Sequence, residues 1–202
     1  MSTLPILLDG SGIRVLVVGG GNVATRKAKQ FAQAGAIVRI VAPALDPALE
    51  ALALEYAMVV DRRPYERGDI GDAQLVVTAT NDRAANEAAA REALSEGCLL
   101  NAADHSPDGN FAMMATHHRG PLTIGVSAGG VPSAAIRIRN AIAQRFDARY
   151  GDALADLGAL RRRMIVSGHA DVWRTRSPEL IDDSFCEAVE SGEISQRIAE
   201  WP

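Results

Sequence analysis

The amino-acid sequence predicts an α/β fold: a parallel sheet covered by helices on both faces, followed by a helical region. In the first half, short apolar runs rich in Val, Ile and Leu alternate with Ala-rich segments of helical character. After about residue 104 this alternation stops and helical patterns prevail. Apolar residues make up 48% and charged residues 23% of the 202 residues, which is typical of a globular chain that can bury a core.

The predicted elements of the first half form a regular series. Strands are expected at residues 13–18, 36–41, 58–60, 75–79 and 98–100. Helices are expected between them, at residues 22–34, 48–56 and 82–95. The first strand is apolar at nearly every position, as is usual for a parallel sheet that is buried on both faces.

The second half is predicted to begin with two strands and to continue as helices. The strands are expected at residues 111–116 and 122–127, separated by Arg119-Gly120-Pro121. The helices are expected at residues 133–146, 152–165 and 177–189, the last of them with Pro178 in its first turn.

Charge and cysteine content exclude several classes of protein. With 21 basic and 25 acidic residues the formal net charge is −4, which argues against a dedicated nucleic-acid binder. No apolar run approaches the ~18–20 residues of a membrane helix, and no secretory signal pattern is visible. Cys98 and Cys186 have neither metal-ligand spacing nor the density of a disulfide scaffold. We therefore expect a cytoplasmic protein with no bound metal and no nucleic-acid or membrane partner.

A glycine-rich turn lies between the first predicted strand and the first predicted helix. It reads Gly19-x-Gly21-x-x-Ala24 within a strand–helix–strand unit of about 30 residues, the pattern of dinucleotide-binding domains. Gly19 permits the tight turn, Gly21 lets the backbone approach a pyrophosphate, and Ala24 lets the helix pack close to the strand. The amides at the start of the helix then face the anion. The sequence thus predicts a Rossmann-type domain with a nicotinamide dinucleotide cofactor.

The residues themselves leave the choice between NAD and NADP open. An NAD site usually has Asp or Glu at the end of the second strand, where it binds the ribose hydroxyls. Here that strand ends in Val41-Ala42-Pro43, and the first acidic residue afterwards is Asp46, in a loop. Arg62 and Arg63 lie further on and are the candidates for binding the 2′-phosphate of NADP.

Longer motifs carry a resemblance to a known family. They are Leu4-Pro5, Val18–Lys27, Gly35-Ala36, Val41–Pro43, Ala79–Asp82, Asn101–Asp104, Phe111, Arg119–Ile124 and Ser127–Gly130. On these motifs, which span roughly residues 4–140 in the same order, the chain resembles the precorrin-2 dehydrogenase family. That family includes the amino-terminal half of bifunctional and trifunctional siroheme synthases.

The resemblance implies the NAD-dependent oxidation of precorrin-2 to sirohydrochlorin, and in some members the insertion of ferrous iron to give siroheme. It also implies an NAD-binding domain at residues 1–112, a dimerisation segment at 113–147 and a helical carboxy-terminal segment at 148–202. The implied partners are the tetrapyrrole substrate and a second copy of the chain, with ferrous iron as a further substrate where chelation occurs.

The resemblance also assigns roles to individual residues. Asp104 corresponds to the family's active-site aspartate, and its carboxylate can take a proton while NAD takes the hydride. The implied cofactor contacts are Gly19, Gly21, Asn22, Val23, Ala42, Pro43, Thr80 and Asn81. Because the substrate carries many carboxylates, forked arginine contacts are expected. The candidate substrate-binding residues are Arg119, Arg137, Ser127 and His105.

The other histidines and one cysteine receive structural interpretations. His117, His118 and His169 are expected to be exposed polar residues, the first two in a turn. Cys98 lies in an apolar strand and is expected in the core. One departure from the family pattern is Ala128, which stands where many members have serine.

Alternative functions differ in which residues they require. A bifunctional dehydrogenase and ferrochelatase would also use Asp104, and the sequence does not separate it from the dehydrogenase alone. A non-catalytic nucleotide-sensing module would need the glycine-rich turn but not Asp104. A generic oxidoreductase is disfavoured because no tyrosine is followed four residues later by lysine, as short-chain dehydrogenases require.

Overall fold

The computed structural model describes residues 3–103 and 109–201. The chain divides into two compact units, Met1–Met113 and Met114–Pro202. Each unit has its own sheet and its own hydrophobic core. The predicted division into three functional parts, with boundaries at residues 112 and 147, stays a prediction.

A five-stranded parallel sheet forms the centre of the first unit. Its strands are β1 (Arg14–Val18), β2 (Ile37–Val41), β3 (Val59–Asp61), β4 (Leu75–Thr78) and β5 (Leu99–Ala102). Their spatial order is β3-β2-β1-β4-β5. The first strand therefore lies in the middle of the sheet, with β2 and β3 on one side of it and β4 and β5 on the other. The helices are α1 (Asn22–Gln33), α2 (Pro47–Glu55) and α3 (Arg83–Ser95). The predicted α/β class is confirmed.

Alternate strand residues point to opposite faces of this sheet and form two separate cores. On one face, strand residues such as Val17 pack against the buried sides of α1 and α2, which include Ala28 and Leu49. On the other face, Leu16 and its neighbours pack against the alanines of α3, including Ala89. Because alanine side chains are small, the helices can pack closely against the sheet. This packing positions the loops at the carboxyl edge of the sheet. Cys98 is buried in the second core, as expected.

Three helices begin at aspartates that cap their first turn. Asp46 accepts from the amide of Ala48 at the start of α2, and Asp82 caps α3 in the same way. In the second unit, Asp147 accepts from the amide of Arg149. Such caps satisfy amides that have no partner inside the helix, which explains where these helices begin.

The second unit consists of a hairpin and five helices. The antiparallel hairpin pairs β6 (Ala115–Arg119) with β7 (Leu122–Val126). The helices are α4 (Pro132–Arg145), α5 (Ala148–Val166), α6 (Ala170–Leu180), α7 (Phe185–Ser191) and α8 (Glu193–Ala199). Apolar residues of α5 form the centre of this unit's core, together with residues of α6, α7 and α8.

The structure corrects two predicted elements. The helix predicted at 177–189 is wrong: α6 runs through Pro178 to Leu180, and α7 begins only at Phe185. Proline was read as the start of a helix, but the residues before it are already helical. The strand predicted at 111–116 begins only at Ala115, because Phe111 packs against the core of the first unit instead.

Within the two ranges that the structure describes, no helix has the length and apolar character that spanning a bilayer requires.

Candidate nucleotide-binding site

The turn after β1 has a backbone that requires glycine at its first position. Gly19 has φ +131°, and a side chain there would overlap the carbonyl group of Ala79. The amide of Gly19 donates to the carbonyl of Val41 at 3.0 Å, and the amide of Ala79 donates to that of Val18 at 2.8 Å. The turn is therefore held against the carboxyl ends of β2 and β4, where ligands bind in open α/β sheets.

The middle glycine serves a different contact. A side chain on Gly20 would overlap the carbonyl oxygen of Ala44, so only glycine lets the loop after β2 lie against the turn. The carbonyl oxygen of Gly20 accepts from the amide of Asp46 at 2.7 Å. The loop that borders the candidate ribose site is thus fixed to the glycine-rich turn.

The third glycine faces open space. Apart from the adjoining backbone, no heavy atom of the described residues lies within 4 Å of the position of a Cβ on Gly21, and its φ of −88° is accessible to any residue. Gly21 is the N-cap of α1 and supplies no side-chain cap, so the amides of Asn22, Val23 and Ala24 are left for a ligand. The helix has no acidic residue in its first turn, which keeps this end electropositive. The cradle fits the pyrophosphate of a dinucleotide.

Thr80 and Asn81 lie directly after β4, at the same edge of the sheet. The loop is held by Asn86 of α3, whose side chain accepts from the Thr80 amide at 3.2 Å and donates to the Thr80 carbonyl at 3.0 Å. Asn86 is buried, and sequence analysis missed it. The available signal was a polar residue on the apolar side of an alanine-rich helix.

Ala42 and Pro43 directly follow β2, and neither is acidic; the neighbouring Asp61 of β3 lies opposite Val41, where its carboxylate accepts from Arg39 at 2.7 Å. Ala42 is buried and its amide donates to the carbonyl of Asp61 at 3.1 Å, while Pro43 is exposed. Asp46, the first acid after β2, accepts from the amide of Ala48 as the cap of α2. Ribose recognition by an acid at the end of β2, the usual arrangement in NAD sites, is therefore not built into this edge.

Arg62 and Arg63, the candidates for a 2′-phosphate, are both paired with carboxylates. Arg62 donates to both oxygens of Glu50, at 2.8 and 2.9 Å. Arg63 donates to both oxygens of the buried Asp69, at 2.8 and 2.6 Å, and Arg39 donates to Asp69 as well. Hydrogen bonds from Arg63 lower the pKa of Asp69 to about 2.

Asp104 and His105 lie outside the described residues, but the described residues on both sides of them are hydrogen-bonded to the sheet. The amide of Ala103 donates to the carbonyl of Thr78 at the end of β4, at 2.9 Å. On the other side, the Asn110 side chain accepts from the amide of Leu100 at 2.7 Å and donates to the carbonyl of Cys98 at 3.3 Å, so that Asn110 lies along the first half of β5.

Two buried side chains near this edge have oxygens without a hydrogen-bond partner among the described residues. They are Thr78 at the end of β4 and Asn101 in β5. The amide nitrogen of Asn101 is used, since it donates to the carbonyl of Phe111 at 3.0 Å. Buried oxygens of this kind are left free where a ligand or water completes the site.

The candidate substrate residues of the second unit are exposed. Arg119 donates to the carbonyl of His118 at 2.9 Å, and Arg137 and Ser127 face solvent on α4 and after β7. Within the described ranges neither arginine has an ion pair, so both guanidinium groups are free to bind carboxylates.

The expectation that His117 is exposed in a turn is wrong. His117 lies in β6, is buried, and its Nε2 lies 2.6 Å from the carbonyl oxygen of Phe146. His118, also in β6, is exposed and contacts the Thr123 hydroxyl at 3.1 Å. The turn begins only after Arg119, the last residue of β6.

Among the residues that the structure describes, no three His, Cys, Asp or Glu side chains come together as a metal site. The polar arrangement at the carboxyl edge of the first sheet is instead that of a phosphate-binding turn bordered by hydrogen-bonded loops.

Sheet order, glycine-rich turn and open helix end together define a Rossmann-type dinucleotide-binding domain. A family model described as "Putative NAD(P)-binding" matches residues 6–115, slightly more than half of the chain. The chain belongs to this NAD(P)-binding family.

Proteins named siroheme synthase are similar to this chain over nearly its whole length. That of Pseudomonas putida strain F1 is 36% identical over 198 residues, and that of Azotobacter vinelandii strain DJ is 34% identical over 199 residues. Each match covers 98% of this chain but 41% of the relative, so the chain spans less than half the length of these curated relatives.

A solved structure is similar to both units together. It is named "SirC, precorrin-2 dehydrogenase", has a TM-score of 0.77 and 30% sequence identity, and the match covers 98% of this chain and 100% of that chain. The resemblance inferred from the sequence motifs is confirmed by these comparisons, and so are the Rossmann-type fold and the nicotinamide dinucleotide cofactor.

Proposed function

We propose that this chain oxidises precorrin-2 to sirohydrochlorin with NAD, as a step of siroheme biosynthesis. The observation that carries the proposal is the match to a precorrin-2 dehydrogenase over 98% of this chain and 100% of that one. It extends well past residue 115, where the general NAD(P)-binding match ends. The dinucleotide-binding fold alone serves many reactions. A second unit that is similar in both proteins therefore supports a substrate in common.

The residues of this chain have distinct tasks in the proposed reaction. The bound nicotinamide supplies the hydride acceptor. The amides at the start of α1, including those of Asn22 and Val23, bind the pyrophosphate, and Gly21 leaves room for it. Thr80 and Asn81 border the cofactor from the loop that Asn86 holds. Asp104 takes the proton from the substrate as a general base.

The substrate's carboxylates need cationic partners. Arg119 and Arg137 are proposed for this role, since both are exposed and free of ion pairs within the described part of the chain. Ser127 and His105 are proposed as further polar contacts. Arg139 of α4 joins them: it donates to the carbonyl of Thr116 at 3.3 Å, and its buried Nε has no hydrogen-bond partner among the residues that the structure describes.

A homodimer and a cytoplasmic location belong to the same proposal. The two-stranded hairpin β6–β7 is a small sheet for an independent unit, and two-stranded sheets usually need further cover. Ile136 and Ile138 of α4 are 45% and 48% exposed, which supports burial of this region against a second copy. Both cysteines are free thiols, which suits a reducing compartment.

The test mixes the purified protein with anaerobically generated precorrin-2 and NAD and follows the visible spectrum of sirohydrochlorin. We expect NAD-dependent conversion, and we expect Asp104→Asn to lower kcat at least about a hundredfold while NAD binding is retained. Asp152→Asn, on the exposed side of α5, is the matched control and should behave as the wild type.

Two outcomes would decide against parts of this proposal. NAD binding without any conversion of precorrin-2 would favour a nucleotide-sensing module. Equal rates for Asp104→Asn and the control would remove Asp104 from the reaction. Addition of ferrous iron to the completed reaction tests chelation separately, through the spectrum of siroheme.

A further inference from the structure

One ion pair stands at the place where a dinucleotide-binding domain distinguishes NAD from NADP. Arg62 donates to both carboxylate oxygens of Glu50, at 2.8 and 2.9 Å, in a forked arrangement. Both side chains are accessible, with 54% of Arg62 and 42% of Glu50 exposed. A ligand arriving from solvent can therefore reach either partner.

The backbone fixes the location of this pair. Arg62 directly follows Asp61, whose carbonyl accepts from the amide of Ala42 at the end of β2. Glu50 lies in the first turn of α2, and the cap of that helix, Asp46, is hydrogen-bonded to Gly20 of the glycine-rich turn. The pair thus lies next to the loop that joins β2 to α2, and this loop is hydrogen-bonded to the phosphate-binding turn.

In Rossmann-type domains, the residues at the end of β2 determine which nicotinamide dinucleotide is bound. The end of β2 is where an acid binds the ribose 2′-hydroxyl of NAD, or where a nearby arginine accommodates the 2′-phosphate of NADP. In this chain the strand ends in Val41-Ala42-Pro43 and provides neither group. The charged side chains of the neighbouring elements are then Asp61 of β3, whose carboxylate accepts from Arg39 at 2.7 Å, and the more exposed Glu50–Arg62 pair.

We propose that the Glu50–Arg62 pair makes this site selective for NAD over NADP. Arg62 is the cation placed to bind a 2′-phosphate, and Glu50 occupies its donors and adds a negative charge that repels the phosphate. This proposal requires that the chain binds NAD(P), which its family membership supports. It does not require the proposed oxidation of precorrin-2.

The neighbouring Arg63 does not share this role. It donates to both oxygens of Asp69, a carboxylate whose side chain is only 5% exposed, and Arg39 binds the same group. Releasing Arg63 would leave a buried carboxylate short of a partner, which is costly. Arg62 has an exposed partner and can be released. The hydrogen bonds from Arg62 also lower the pKa of Glu50 below its usual value.

The test measures dissociation constants of NAD and NADP by calorimetry, with no substrate present. Glu50→Ala should lower the Kd of NADP at least about tenfold, because a charge-assisted contact from Arg62 becomes available. The Kd of NAD should stay within about twofold of the wild type, since no NAD contact is removed. Glu55→Ala is the matched control: an exposed acid on the same helix, whose removal changes the net charge equally.

The double variant Glu50→Ala/Arg62→Met identifies the cation. If Arg62 binds the 2′-phosphate, the gain in NADP affinity disappears in this variant. A gain that persists there, or that Glu55→Ala reproduces, overturns the proposal, because a general change of charge would then explain it. A large loss of NAD affinity in Glu50→Ala also overturns it, since Glu50 would then bind the ribose itself.

Discussion

Gly21→Ala separates cofactor binding from folding. The backbone of Gly21 is extended, with φ −88° and ψ −173°, and no heavy atom lies within 4 Å of the added methyl group. Alanine is a poorer N-cap than glycine by about 0.5–1 kcal/mol, but it reduces the freedom of the unfolded chain by about 0.4–1 kcal/mol. These effects nearly cancel, so the free energy of unfolding should change by less than about 0.5 kcal/mol.

Cofactor binding should respond much more strongly. The methyl group points into the open space that we propose for the pyrophosphate, and overpacking there would cost about 1–3 kcal/mol. The Kd of NAD should therefore rise roughly 5- to 150-fold. Thermal unfolding of the free protein and titration with NAD measure the two quantities separately.

Gly19→Ala is the contrasting variant. Its φ of +131° and its overlap with the carbonyl group of Ala79 should destabilise the fold itself by about 2 kcal/mol or more. Wild-type affinity for NAD in Gly21→Ala would show that the pyrophosphate binds elsewhere. Unfolding of Gly21→Ala would show that the space around Gly21 is not open, and either result refutes the argument.

Three further predictions concern stability. The pKa of Asp69 is about 2 in the folded protein, against an ordinary value of 3.8, so its ionised carboxylate should contribute about 2 kcal/mol to the free energy of unfolding above pH 4 and lose this contribution as the pH falls towards 2. Urea unfolding should therefore show that the stability of Asp69→Asn changes less with pH over this range than that of the wild type. Asn110→Ala removes the acceptor of the Leu100 amide, so it should lower the free energy of unfolding by about 1–3 kcal/mol and speed hydrogen exchange at that amide. Unchanged exchange at Leu100 would contradict this prediction. Tyr150→Phe should cost about 1–2 kcal/mol in thermal unfolding, because the buried hydroxyl donates to Glu190 at 2.8 Å; an unchanged Tm would show that this bond contributes nothing.

The phosphate-binding turn could be predicted because its requirements are local. Strand, glycine spacing and helix follow one another within a few residues, and the spacing identifies Gly19 as the residue of the tight turn. The requirement for Gly20, in contrast, depends on Ala44, a residue two dozen positions away. Sequence alone does not bring those two together.

The pairing of charged residues could not be predicted for the same reason. Arg62 and Arg63 are adjacent in sequence, yet one binds an exposed carboxylate on α2 and the other a buried one in a later loop. His117 was misread because a buried polar residue is explained only by its partner, here the distant carbonyl of Phe146. Local patterns determine elements, but long-range hydrogen bonds determine which polar residues remain for ligands.

The anchoring of Asn110 has a consequence for the sheet as a whole. Asn110 and Phe111 lie along β5 and satisfy the amide and carbonyl groups of Leu100 on its outer side. An exposed strand edge can pair with another chain and start aggregation, and this segment occupies that edge at Cys98 and Leu100. The opposite edge is β3, which has only three residues and offers little to pair with. The sheet is thereby protected at both borders against uncontrolled extension.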